Sequence, residues 1–286
     1  MPRIYLFAIE REVLMSKKIQ TIVIKSWEHA LKVLYAESWN PERKKFISPF
    51  VFRGLDRTDY KLVTTLQRIG ANNPSGLPDL EKYIFRTFKK YAHRDVVSRD
   101  TVWHWLAMAQ HHGLATRLLD WTWSPLVALH FATANMQNMQ TEGMIWMVDI
   151  RGVREEMPPV LREQMQTSSG PSFDVDTLSN IKLEPWELVN YPNQRSKDGF
   201  IIFFEPPSMD DRIINQYALF SILSDPQGSL DDWLLRRPHL CRKVILPGNK
   251  KWEIRDNLDQ ANITERVLFP GLDGLSVWLN RYYFAR

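Results

Sequence analysis

The apolar positions of this chain change period along its length, and each change marks an element. From Gln20 to Ile24 an apolar run reads as a strand. Behind it Ser26 can cap a helix that carries Trp27, Leu31 and Leu34 on one face. Phe50 to Phe52 is a second strand, and Leu80, Ile84, Phe88 and Tyr91 recur at helical spacing in LPDLEKYIFRTFKKYAHR. TVWHWLAMAQHHG predicts another helix, stopped by Gly113 just past its cap. After an Asp120-Trp121-Thr122 turn, Ser124 and Pro125 open a helix that runs to about Asn135, because serine caps free N–H groups and proline loses nothing in the first turn. GMIWMVDI (143–150), FIIFFEP (200–206), YALFSIL (217–223) and CRKVILP (241–247) are strands. The polar stretch from about 151 to 196 reads as helix and long loops.

Helices and strands mix here without regular βαβ alternation, so the expected class is α+β with a largely antiparallel sheet. No internal repeat or low-complexity tract interrupts the chain. The later strands need partners earlier in the sequence, which favours one domain over residues 20–286 with an insertion at about 151–196, preceded by an extension at 1–19. Met15 stands just before the patterned part, so residues 1–14 read as an appendage or an over-called start.

Composition narrows the class. With 286 residues, 44% of them hydrophobic and 12% aromatic, the chain can bury a real core. Lys and Arg number 37 against 33 Asp and Glu, a net +4 carried by scattered residues, so polyanion binding is permitted but not demanded by charge. The single Cys241 excludes an internal disulfide framework and a cysteine zinc cluster, which fits a reducing cytoplasm. No apolar stretch approaches the roughly 18 residues of a membrane span. The expectation is a cytoplasmic protein without a membrane partner.

Candidate chemistry concentrates in QHHGLATRLLDWTWSPLVALHFA (110–132), where Arg117, Asp120, Thr122 and a His pair are set in apolar and aromatic surface. If buried, such groups must pair or serve a ligand. Arg53, at the end of an apolar run with Gly54 behind it, can meet a diphosphate or carboxylate bidentately where no Cβ stands in the way, or pair with a buried carboxylate such as Asp120. Arg117 and Asp120, three apart, can pair with each other and lock the turn. His111 and His112 sit at a helix end, where the dipole gives an imidazolium a structural role beside any catalytic one. A metal would need a third ligand such as His104 or Asp120, and no HExxH or CxxC pattern supplies one, so no metal is expected. Phosphate-binding loops, the GxGxxG turn and the GxSxG elbow are all missing. Trp103, Trp105, Trp121 and Trp123, in such apolar surroundings, read as core before they read as a stacking platform.

Two of these segments carry a family resemblance. Phe52-Arg53-Gly54, and Gln110, His111, Gly113, Thr116 to Thr122, Pro125, Ala128, Leu129, Phe131 and Ala132, resemble the motif and the QHxGxxTRLLDWTxxPxxALxFA signature of the FRG domain family. The family name records a motif and no reaction. The order of elements also resembles the ADP-ribosyltransferase superfamily. That resemblance implies an ADP-ribosyltransferase-like core and NAD as substrate, for ADP-ribosyl transfer or NAD cleavage, in a microbial toxin or defence effector. It implies Arg53 in the first catalytic place, with Trp121, Thr122 and Ser124 lining the nicotinamide, and Gly54, His111, Arg117 and Asp120 beside the cofactor. The third place falls on Gln216, where the superfamily uses glutamate. Glutamine cannot act as a base, so Glu205 supplies the carboxylate, or the reaction is altered, or the protein only binds. Partners implied are NAD or a related nucleotide and a protein or nucleic-acid acceptor. The alternative is a nucleotide or nucleic-acid binding module without turnover.

Overall fold

A computed structural model describes residues 18–71, 76–92, 97–166, 172–181, 183–191, 198–208 and 210–284. The extension before residue 18, and parts of the 151–196 stretch, lie outside the described residues. In chain order the regular elements are β1 (Gln20–Val23), α1 (Trp27–Leu34), β2 (Trp39–Asn40), β3 (Lys45–Phe46), β4 (Phe50–Leu55), α2 (Thr65–Gly70), α3 (Gly76–Tyr91), α4 (Val102–His111), β5 (Leu118–Thr122), α5 (Pro125–Ala132), β6 (Gly143–Asp149), α6 (Ile150–Glu155), α7 (Pro159–Gln166), β7 (Phe173–Asp174), α8 (Val175–Asn180), β8 (Ile201–Glu205), α9 (Asp211–Asn215), β9 (Ala218–Leu223), α10 (Leu230–Leu235), β10 (Cys241–Leu246), α11 (Gly248–Gln260), α12 (Glu265–Leu268) and α13 (Leu272–Tyr282). The fold is mixed α and β, and most strand pairs run antiparallel.

Local chemistry explains most of the ends. Ser26 caps α1 by accepting from the His29 N–H at 3.2 Å. Thr64 and Gln67 form a reciprocal capping box on α2. Gly113 has φ +79°. Behind it the Leu114 N–H reaches Ala109 O at 2.9 Å and the Gly113 N–H reaches Gln110 O at 3.0 Å, the paired bonds that close a helix on a left-handed residue. α5 starts at Pro125 as its sequence predicts but stops at Ala132, short of Asn135. There the Thr133 hydroxyl turns back to Leu129 O at 2.8 Å, and the Arg255 guanidinium takes up His130 O at 3.3 Å.

Two differences from the sequence reading bear on function. The Asp120-Trp121-Thr122 stretch is not a turn but the end of strand β5, and both faces of Leu118–Leu119 are buried, so no period of two betrays it. β4 runs on through Leu55, which makes Arg53 an interior strand residue opposite Trp146 rather than a strand-end one.

The chain divides into two compact units. The first takes residues 1–60, 125–149 and 231–264. Its strands lie in the order β1, β10, β6, β4, with β1 parallel to β10 and the other pairs antiparallel. β6 has neighbours on both edges and is apolar from Met144 to Val148, as a strand covered on both faces must be. Phe50, Phe52, Ile145, Met147, Val244 and Leu246 form one core with Ala128, Leu129 and Ala132 of α5 and Ile254 and Leu258 of α11. Lys251 is fully buried there, and its ammonium donates to Asp56 O at 2.7 Å and Asn138 O at 2.8 Å. Burial pushes its pKa below the ordinary lysine value.

The second unit takes residues 61–124, 150–230 and 265–286. Its strands lie in the order β5, β9, β8, β7, with only β7 and β8 parallel. On one face Leu118, Phe220, Ile222, Ile202 and Phe204 pack with Phe85 of α3, Trp103 and Leu106 of α4 and Leu178 of α8. Trp103 and Trp105 are core residues whose indole N–H groups are satisfied, at Leu183 O and Asp100 Oδ1. The 151–196 stretch supplies α6, α7, β7, α8 and a 3-10 turn at Pro185–Asn190 to this unit.

Gly54 and Gly113 separate two reasons for glycine. A Cβ on Gly54 would stand 1.9 Å from Ala128 O and 2.8 Å from Ala132 N, both helix backbone that cannot swing aside, whereas a Cβ on Gly113 would meet nothing and suffer only its positive φ. Gly54→Ala is therefore expected to destabilise by about 3 kcal/mol through overpacking, and Gly113→Ala by about 1 kcal/mol. Denaturant midpoints followed by circular dichroism check the order, and a Gly113 variant as damaged as the Gly54 one would contradict it.

Candidate functional site

In the second unit the signature residues between α4 and β5 bond to one another. Gln110 Oε1 accepts from the Thr116 hydroxyl, and Gln110 Nε2 donates to both carboxylate oxygens of Asp120 at 3.0 and 3.1 Å. The Thr116 oxygen also accepts from the Leu118 N–H at 3.1 Å, while Thr116 O accepts from the Leu66 N–H. One amide thus joins the last turn of the helix to the loop and to the strand. The Asp120 carboxylate lies at the exposed edge of this clasp.

Arg117 points the other way, into the protein. Its side chain is 2% exposed and meets Glu81 of α3, 4% exposed, with Nε 3.1 Å from Oε1. The two meet as charges without an aligned hydrogen bond. Burial lowers the pKa of Arg117 and raises that of Glu81, and each partner's charge opposes the shift of the other. The cavity beside Arg117, lined also by Thr64, Gln67, Ser221 and Asp225, has a volume of about 10 Å³. That is room for about one water and far below the few hundred Å³ of a small-molecule pocket. Arg117 pairs with Glu81 and not with Asp120.

The Trp-Thr segment closes onto α9 and β9. The Thr122 hydroxyl donates to Gln216 O at 2.7 Å and accepts from the Ser124 N–H at 2.9 Å, and the Trp123 N–H reaches Tyr217 O at 3.1 Å. Tyr217 takes a left-handed φ of +49° at this junction and is 62% exposed. Trp121 is buried, with its indole N–H on the Ser221 hydroxyl at 2.8 Å and its ring edge-on to Phe203. Gln216 ends α9, and its side-chain amide donates to Leu268 O at 3.0 Å. Glu205, by contrast, ends β8 on an exposed position and accepts from the Ser172 hydroxyl at 2.8 Å. It stands one residue past the Phe204–Phe220 pair, at the same strand ends as the Trp121–Leu219 pair.

His111 closes α4 with its Nε2 2.5 Å from Asp210 Oδ2, and Asp210 Oδ1 caps α9 by accepting from the Ile213 N–H at 3.1 Å. Partial burial works against the Asp210 carboxylate, but the N–H of Ile213 and the ring of His111 outweigh it and hold its pKa below the ordinary aspartate value. Arg53 and Gly54 belong to the first unit, on alternate faces of β4. Gly54 admits the backbone of α5, as its Cβ contacts require. Arg53 is half-buried opposite Trp146, whose ring carries Lys243 Nζ 4.4 Å from its centroid. Among the described residues no group of three or more His, Cys, Asp or Glu is placed to hold a metal.

Two partners escaped the sequence reading. Glu81 sits one turn before Phe85 on the buried face of α3, so the helical period marks it as a carboxylate facing the core. Asp210 carried the signal of a helix cap only, and nothing in its neighbourhood points to His111, which stands 99 residues away.

The Arg117–Glu81 pair has a testable energetic signature. Glu81→Gln leaves a buried guanidinium uncompensated and should cost about 3–5 kcal/mol. Replacing both, Arg117→Met with Glu81→Leu, should recover most of that loss in urea melts. A double variant no better than the single one would show that the charges are needed in themselves.

Comparison with known proteins agrees with the segments that organise this geometry. No curated protein and no solved structure matches the chain. No described helix is long and apolar enough to cross a membrane. Residues 48–141 match the family model of the FRG domain, a span that takes in β4 with its Phe-Arg-Gly run and the whole Gln110-to-Ala132 segment.

Proposed function

We propose that the chain uses NAD as a substrate in an ADP-ribosyltransferase-like reaction, transferring ADP-ribose to an acceptor or cleaving NAD. The observation that carries this reading is the contrast between Gln216 and Glu205. The Gln216 amide is committed to Leu268 O, so it acts as a strut between α9 and α12. The Glu205 carboxylate keeps an exposed position at the end of β8, level across β9 with the Trp121 end of β5. A carboxylate is what the chemistry asks for. When the bond from ribose C1′ to the nicotinamide nitrogen breaks, positive charge develops on the ribose, and a nearby anion that also holds a ribose hydroxyl stabilises that state. In this reading Ser172 positions Glu205 through its 2.8 Å hydrogen bond.

A second reading, a nucleotide-binding module without turnover, is favoured by the same Gln216 bond, since the position where the superfamily keeps glutamate is spent on structure. The two separate on incubation with NAD. Nicotinamide release measured by chromatography is expected from the wild-type protein and should fall about 100-fold or more in Glu205→Gln. Gln216→Ala should retain release and lose about 1 kcal/mol of stability with its hydrogen bond. Thermal stabilisation by NAD without any nicotinamide release would favour the binding module.

A further inference from the structure

His111 and Asp210 form a pair that the proposed reaction has so far left unused. Asp210 is held from two sides, with Oδ1 on the N–H of Ile213 and Oδ2 on the imidazole, so its carboxylate cannot rotate away from the ring. The ring itself is fixed at Nε2, and its side chain is 11% exposed. Nδ1 is not among the buried polar atoms left without a partner, and no hydrogen bond to another described residue occupies it. The titratable groups against the ring are Asp210 from α9 and His112 on its own helix, whose ring stands edge-on at 5.1 Å. An imidazole held at one nitrogen by a carboxylate and open at the other is the arrangement of a general base. Asp210 caps α9 and Gln216, whose carbonyl accepts from Thr122, ends it, a span of about 9 Å at 1.5 Å per residue.

We propose that His111, positioned by Asp210, is the general base that takes the proton from the acceptor of ADP-ribose, an acceptor that attacks through a hydroxyl oxygen or a neutral nitrogen that bears hydrogen. The assignment rests on the NAD reading above. The acceptor oxygen or nitrogen bonds to ribose C1′ as the C1′–N bond breaks, and the electron pair of that bond leaves on the nicotinamide nitrogen. The acceptor's proton passes to Nδ1, and the imidazolium so formed faces the Asp210 carboxylate. Glu205 and His111 then divide the work, one stabilising the ribose and the other activating the nucleophile. Asp210 acts through His111 and is a positioning residue.

The test uses the full chain with NAD and measures nicotinamide release across pH. His111→Gln should lower kcat about 100-fold or more with the KM for NAD unchanged, and flatten the acidic limb of the profile. Asp210→Asn keeps a side chain that caps helices well, so α9 should persist. It should lower kcat about 10-fold with the KM for NAD unchanged. Acylation of the wild-type protein with diethyl pyrocarbonate gives a readout that needs no variant to fold. Modification mapped to His111 should abolish release, and hydroxylamine should restore it. A wild-type rate and intact acidic limb in His111→Gln, or full release after His111 is acylated, would overturn the base while leaving the NAD reading standing. A wild-type protein that releases no nicotinamide would take both down together.

Discussion

The amide of Gln110 has one acceptor and two donors, and the geometry around it uses both ends. Thr116 donates to its oxygen and Asp120 receives its nitrogen, so three residues spread over eleven positions of the chain are tied to one planar group. Such a clasp tolerates little movement because each partner is itself committed, Thr116 to the Leu118 N–H and Asp120 to a strand that pairs with β9. The left-handed Gly113 makes the clasp possible by reversing the chain within a few residues of the helix end. What depends on it is the direction in which α4 delivers His111 and β5 delivers Thr122. The family signature is, in this light, first of all a description of a helix-to-strand connection.

Charge is treated differently on the two sides of that connection. Arg117 and Glu81 are taken wholly out of water, where a pair survives only because removing either one is worse than keeping both. Asp120, Glu205 and Asp210 stay at positions where solvent reaches them. The first unit follows the same rule with other means, since Lys251 is held by backbone carbonyls and Arg255 by His130 and Thr133. Polar groups with a structural duty are thus buried with partners, and these three carboxylates are not.

The glycine of the Phe-Arg-Gly run illustrates how one residue type serves ends that a motif cannot distinguish. A missing Cβ is equally suited to a ligand and to a helix. At Gly54 the space is filled by the backbone of α5, because Ala128 and Ala132, small themselves, let that helix lie directly on β4. Motif and packing are therefore one statement here: the Phe-Arg-Gly strand and the ALHFA helix end face each other.

Much was legible in the residue pattern. The helices behind Ser26 and Pro125, the stop at Gly113, the long helix through Phe88 and the strands at 143, 201, 218 and 241 follow from periodicity and capping, which are local and depend on residues within a few positions of each other. The family span was legible too, because it is written in residue identity. Tertiary structure alone decided that Leu118–Thr122 is a strand, since buried residues on both of its faces leave it no period of two to show. It alone decided that Arg117 meets Glu81 and His111 meets Asp210. Pairing between distant residues is a matter of which side chains the packed core brings within about 3 Å, and a buried polar residue's own sequence neighbourhood does not say which residue its partner is.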